Sequence, residues 1–216
     1  MTAARLSAAL APHGLTVLGT LAPEPGDTLP RGTRTLALVG PDGPAMWPVF
    51  RASPEAADGR PDPLDRWSRR TLDAVARDLG ATALYPFGGP PWHPFIGWAL
   101  RTGRIHPSPV TLLVHDTQGL MVSFRGALAL RDTIAPRPTA SPCATCADQP
   151  CRTACPPRAL TAGAYDVPAC RAHIATPEGA PCRHGCRVRR ACPVGRGLRR
   201  TDQSAFHMAA FTGSPE

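Results

Sequence analysis

The residues able to do chemistry are gathered at one end of this chain. All eight cysteines fall between Cys143 and Cys192, and none precedes them. In order they read Cys143-x2-Cys146-x4-Cys151-x3-Cys155-Pro156, then Cys170, then Cys182-x3-Cys186-x5-Cys192-Pro193. Two runs that each close on Cys-Pro form a ligand pattern, because four soft thiolates must converge on an iron-sulfur cube from a short length of backbone. In two-cluster ferredoxins the cysteine before the proline ligates the other cluster. That rule assigns Cys143, Cys146, Cys151 and Cys192 to one [4Fe-4S] cluster, and Cys155, Cys170, Cys182 and Cys186 to a second. The usual run has two residues between its second and third cysteines and three before its last. Here "CADQPC" has four, and "CRVRRAC" in the second run has five.

Other uses of eight thiols stay open at this point. Two all-cysteine zinc sites would need the same ligand type, although zinc modules favour two separate Cys-x2-Cys pairs and only Cys143-Cys146 has that spacing. Disulfides would suit an oxidising compartment. Thiols packed as small hydrophobes fit poorly with Arg, Asp, Gln and Pro as neighbours. His173 and His184 lie among the cysteines and could replace a displaced ligand.

Composition sets the frame for this chemistry. The chain has 216 residues and a formal charge of +8, and each of its 24 basic residues is arginine. Absence of lysine reads as compositional bias and carries no functional weight. Between Arg183 and Arg200 there are seven arginines and no acid. Guanidinium groups there would offset the negative charge of thiolate-held clusters. An acidic redox partner or a nucleic acid is the other use of such a run. The N-terminal "MTAARLSAALAPHGL" reads as an amphipathic helix, not a secretion signal. No apolar segment is long enough to span a bilayer. The expectation is therefore a cytoplasmic protein with no membrane partner and with cysteines serving as ligands.

The elements that must hold these residues divide in two. Residues 1–130 read as an α/β domain, 131–142 as a proline-bearing linker, 143–200 as a ferredoxin-like module and 201–216 as a C-terminal helix and tail, which makes the whole α+β. Within the first part the pattern predicts a helix over 3–11, strands over 15–22 and 35–40, and a short helix through Met46, Trp47 and Phe50. It also predicts a helix over 62–79 capped by Asp62 and closed by Gly80, a strand at "ATALYPF", and a helix in "PFIGWALRTG" stopped by Gly103. Val110–His115 and Leu120–Phe124 around the turn "DTQG" read as a hairpin. "DQSAFHMAAF" reads as an amphipathic terminal helix packing through Phe206, Met208, Ala209 and Phe211.

The order of cysteines, with "CRTACPPRAL" and "VPACRAHI", resembles the iron-sulfur half of epoxyqueuosine reductases and, more distantly, of reductive dehalogenases. The resemblance extends into "TLLVHDTQGLMVSFRGALAL". It implies a two-[4Fe-4S] module passing electrons to a cobalamin held by an N-terminal domain of nitroreductase-like fold. The chain departs from that family in lacking its proton-donating aspartate, since no acid stands between Asp78 and Asp116. It also lacks the helical-repeat extension of many relatives.

In that place stands "YPFGGPPWHPF", a stiff loop whose Trp92 and Phe95 could cover a corrin or flavin, with His93 as proton donor or axial ligand. A loop that only caps a core is the plainer use of the same residues. His115 is a further cofactor-binding candidate, beside Asp116 at the end of a strand. The expected function is one-electron transfer through two clusters to a redox partner protein. A corrinoid- or flavin-dependent oxidoreductase and a tRNA-binding or regulatory iron-sulfur module are the alternatives. Oligomeric state is not legible.

Overall fold

Apolar residues run without interruption through Leu36–Val39, and such a run suits a strand covered on both faces. The structure, a computed structural model, describes residues 1–198 and 201–213. Among the described residues the strands are β1 (Leu15–Leu21), β2 (Thr35–Pro41), β3 (Thr82–Leu84), β4 (Ile105–Pro107), β5 (Leu113–His115) and β6 (Gly126–Leu130). The helices are α1 (Ala3–Leu10), α2 (Met46–Arg51), α3 (Pro54–Ala57), α4 (Pro63–Leu79), α5 (Phe95–Arg101), α6 (Val167–Ala175), α7 (Ala180–Arg183), α8 (Arg187–Ala191) and α9 (Thr201–Thr212). β1 with β2, β2 with β6 and β3 with β6 all pair antiparallel, so helix and strand combine as an α+β fold.

The chain divides into two compact units, residues 1–105 with 123–139, and residues 106–122 with 140–216. A boundary read at 131–142 does not anticipate that 106–122 belongs with the cysteines.

The first unit is a four-stranded sheet in the order β1-β2-β6-β3. Leu36, Ala37, Leu38 and Val39 of β2 are fully buried, paired on one side to β1 and on the other to β6 from Thr35↔Leu130 to Val39↔Gly126. A bulge lies between Val17 and Gly19 of β1, and a Cβ at Gly19 would meet the Thr102 side chain at 2.6 Å. α4 places Leu64, Trp67, Leu72 and Val75 in the core and ends on Gly80 in the left-handed conformation, as its pattern predicts. Asp62 precedes it with φ of 53° and makes no side-chain cap, so Pro63 at the first position does the starting. Pro48 is tolerated because it falls in the first turn of α2, where its missing N–H has no partner to lose.

Two expectations are corrected. Leu120–Phe124 forms no strand: His115 and Gly119 close the turn by exchanging N–H and carbonyl at 3.0 and 2.9 Å, and the chain then leaves. β5 pairs with β4 instead. α9 forms where a helix was expected, but none of its residues is buried and its polarity is not one-sided. Arg199 and Arg200 of the arginine run, and residues 214–216, lie outside the described residues.

The second unit has few regular elements and an apolar centre made partly of sulfur. Val110, Val114, Leu120, Leu160 and Val188 pack there with Cys151 and Cys192, bordered by Cys143, Cys155 and Cys186. A domain this small has little else to bury.

Candidate metal centre

Most of the cysteines sit on or beside short helical turns. Cys143 lies in a 3-10 turn, Pro142–Thr145, which Ser141 caps through Oγ on the Cys143 N–H at 3.4 Å. Cys146 ends that turn, and Cys151 lies in the next, Pro150–Arg152. Cys170 stands on α6 behind the Asp166 cap, Cys182 on α7, and Cys186 and Cys192 flank α8 at its two ends. Prolines follow Cys155 and Cys192 and turn the chain away.

All eight thiols are free, and in space they form two groups. Burial raises the Cys143 thiol above its ordinary range, and Cys192 and Cys146 raise it further. Burial raises Cys151, with Cys143, Cys192 and Cys146 adding to it. Burial likewise raises Cys182, whose thiol neighbours are Cys186, Cys170 and Cys155. Cys170 is raised by burial, pulled back by the Tyr165 hydroxyl, and raised again by Cys186 and Cys155. Each of these thiols is raised by neighbours of its own group alone. The groups contain the same residues as the two sets read from the crossed spacing.

The first group lines a recess of about 20 Å³ with Pro109, Val114, Leu120, Pro150 and Val194 around it. That is room for roughly one water. The turn after β5 closes one wall of it. A Cβ on Gly119, whose φ is 58°, would come within 2.4 Å of the Val194 carbonyl and 2.9 Å of Cys192 Sγ. Among the described residues, no three of His, Cys, Asp and Glu form a group that could hold a single metal ion.

The second group is bordered by a phenol and a cation. Tyr165 Oη stands 3.6 Å from Cys170 Sγ, and burial followed by Cys170 pushes the phenol up. The Tyr165 ring stacks on Phe211 of α9 at 6.3 Å, with the Arg171 guanidinium 5.0 Å from the Phe211 ring. Arg189 is half-buried and donates through Nη1 to the Leu120 carbonyl at 2.7 Å and to the Val122 carbonyl at 3.5 Å. Burial lowers its pKa, while Cys186 and then Tyr165 raise it. A guanidinium held in this way is a fixed positive charge beside the second group.

The histidines take separate places. His115 is 2% exposed, and its Nδ1 accepts from the Thr117 N–H at 3.1 Å and the Gln118 N–H at 3.2 Å. Two amide donors make that nitrogen an acceptor, so its 3.0 Å approach to Asp116 Oδ1 is no ion pair while the ring is neutral. The side chain caps a turn. His173 is half-buried with Nε2 lacking a hydrogen-bond partner, and His184 is exposed. His93 belongs to the first unit, its ring 5.4 Å from Trp98 and stacked on it. Phe95 spends its faces on Trp98 and Phe124 in the core, whereas Trp92 is 65% exposed.

Sequence reasoning placed the arginines of the 183–200 run, Arg189 among them, beside the thiols, but missed Tyr165. Tyr165 stands five residues before Cys170, and that proximity is the signal that could have found it. No family model, curated protein or solved structure matches the chain.

Proposed function

We propose that the second unit holds two [4Fe-4S] clusters, one per thiol group, and that the protein passes single electrons to a partner protein in a reducing compartment. The observation that carries this reading is the sorting of eight free thiols into two groups of four, interleaved in sequence, with five of the eight in or against one apolar centre. The donor set fits: soft thiolates, a dry lining at the first group and a fixed cation at the second suit a cluster of net negative charge. Bound clusters would supply one-electron transfer. The chain's own part is to exclude water, to hold Arg189 beside the second group and to keep the turn at Gly119 against the first.

A mononuclear zinc site would require its thiolates about 3.8 Å apart, by tetrahedral geometry at the usual zinc-sulfur length. In a cube each thiolate takes a separate iron, so the ligands stand wider and the recess at the first group must open to admit it. Elemental assay after anaerobic reconstitution tests the reading. The expectation is about eight iron and eight sulfide per chain with brown colour that bleaches on reduction. Cys143→Ser and Cys192→Ser should each remove the same half of the iron, and Cys182→Ser the other half. A colourless protein with zinc alone would sink it.

A second reading, a corrinoid- or flavin-dependent reductase with a nitroreductase-like first unit, is favoured by one observation. Trp92 and Ile96, each 65% exposed, are large apolar side chains left to solvent in the same stretch as His93, whose ring stacks on Trp98. Cobalamin or flavin retained through purification and released by Trp92→Ala would support it.

A further inference from the structure

A second recess in the cysteine-bearing unit belongs to neither thiol group. It encloses about 300 Å³, at the small end of ligand pockets. Arg152 and Thr153, from the link between Cys151 and Cys155, line it together with Arg158 and Thr161. Pro109 and Val110 form an apolar wall. Two arginines and two threonines thus line one concavity, and no carboxylate is among the residues lining it.

These cations are not spent on the protein. Arg152 Nε donates to Gln149 Oε1 at 2.5 Å, which fixes the plane of the fork while its Nη donors take no acceptor among the described residues. The Arg158 guanidinium has no hydrogen bond or ion pair there at all. Because every basic residue in the chain is arginine, the choice of arginine means little; two unspent arginines in one hollow mean more. Like charges gathered without a counter-ion repel, and that arrangement favours an anion which neutralises both.

The backbone around the recess is also held away from its preferences. Arg158 has φ of 52°, and Thr111, next to Val110, has φ of 62°. For a β-branched residue this is an outlier. Thr111 Oγ1 donates to the Val110 carbonyl at 2.6 Å and, at 3.4 Å, to that of Thr161. Residues held in this way cluster at ligand clamps.

The geometry points to an anion site in this recess that takes a phosphate-bearing small molecule. Arg152 and Arg158 are the charge-assisted donors, Thr153 supplies a hydroxyl, and Pro109 and Val110 receive the apolar body; the Thr161 hydroxyl is taken up by Ala164, donating to its carbonyl at 3.3 Å and accepting from its N–H at 3.2 Å. The recess is open to solvent, with Arg152, Thr153, Arg158 and Thr161 exposed, and its volume suits a small molecule better than a polynucleotide, which needs an extended basic track. The inference stands apart from the thiol reading: iron assay tests that one, and anion binding tests this one.

Calorimetric titration of the full-length reconstituted protein with inorganic phosphate, pyrophosphate and a single-stranded RNA separates the sources of phosphate. The expected result is saturable binding of one pyrophosphate per chain, tighter than inorganic phosphate. Binding should weaken about tenfold in Arg158→Gln and be lost in Arg152→Gln/Arg158→Gln, while Arg158→Lys keeps part of it. The variants should retain the wild-type iron content. A measurement without any substitution guards against misfolded variants. Pyrophosphate should slow modification of Arg152 and Arg158 by phenylglyoxal, read by mass spectrometry, and should not slow it at exposed Arg5. Absence of saturable binding at millimolar pyrophosphate overturns the site. So does binding of RNA alone, or protection that leaves Arg152 and Arg158 reactive.

Discussion

Glu55 shows how a single side chain couples this protein to pH. It is buried, and its carboxylate accepts from Arg70 Nε at 2.5 Å and Nη2 at 2.9 Å, which holds its pKa down at about 2 from an ordinary 4.5. A depressed carboxyl stabilises the fold above its unfolded pKa, and that contribution drains away as pH falls from 4.5 towards 2. With Arg70 more than half exposed, screening reduces the effect to about 1 kcal/mol. Glu55→Gln should therefore lower stability at pH 6 by about that amount and leave it nearly unchanged near pH 2. All four tryptophans fall in the first unit, so urea unfolding followed by intrinsic fluorescence reads this unit alone. Gly119 supplies a contrast. Gly80 and Gly119 both have positive φ, but a Cβ at Gly80 meets open space and one at Gly119 meets Val194 and Cys192. Gly80→Ala should cost about 1 kcal/mol of first-unit stability. Gly119→Ala should cost more and should also lower iron uptake, measured by assay of the reconstituted variant.

At the scale of elements, α8 is fastened to the segment after β5 by Arg189 rather than by apolar burial alone. Arg189→Met removes the donor and leaves the Leu120 carbonyl short of a partner, a loss of about 1–3 kcal/mol. It also takes a positive charge from beside the second thiol group, so the potential of a cluster there should become more negative, as redox titration followed by EPR would read. Arg189→Lys should restore part of both effects. The elements also show what local pattern can and cannot reveal. α4 was legible because Leu64, Trp67, Leu72 and Val75 repeat at helical spacing between a proline and a glycine. β2 was legible because four apolar residues run together. β6 was not: "GALAL" has no β-branched residue, and it becomes a strand by pairing with Thr35–Val39, some ninety residues earlier. Leu120–Phe124 misled for the converse reason, since it alternates like a strand but finds no partner. The two cysteine sets were proposed from the Cys-Pro rule of two-cluster ferredoxins, which needs only spacing, whereas Arg158 and Thr111 carry no sequence mark of their left-handed backbones.

At the scale of the whole chain, the discontinuous second unit makes a prediction about fragments. Val110, Val114 and Leu120 of its centre come from residues 106–122, and the sulfur-bearing part comes from 140–216. A fragment of residues 140–216 should stay protease-sensitive and bind little iron. Adding a separately made 106–122 peptide should restore protection from limited proteolysis, and failure to do so would count against the shared centre. The placement of Cys151 and Cys192 inside that centre has one more consequence. If folding the unit and loading its inorganic cores are one event, its lifetime in a cell is governed by nutrient supply. Iron starvation would then send newly made chains to degradation without any change in their synthesis.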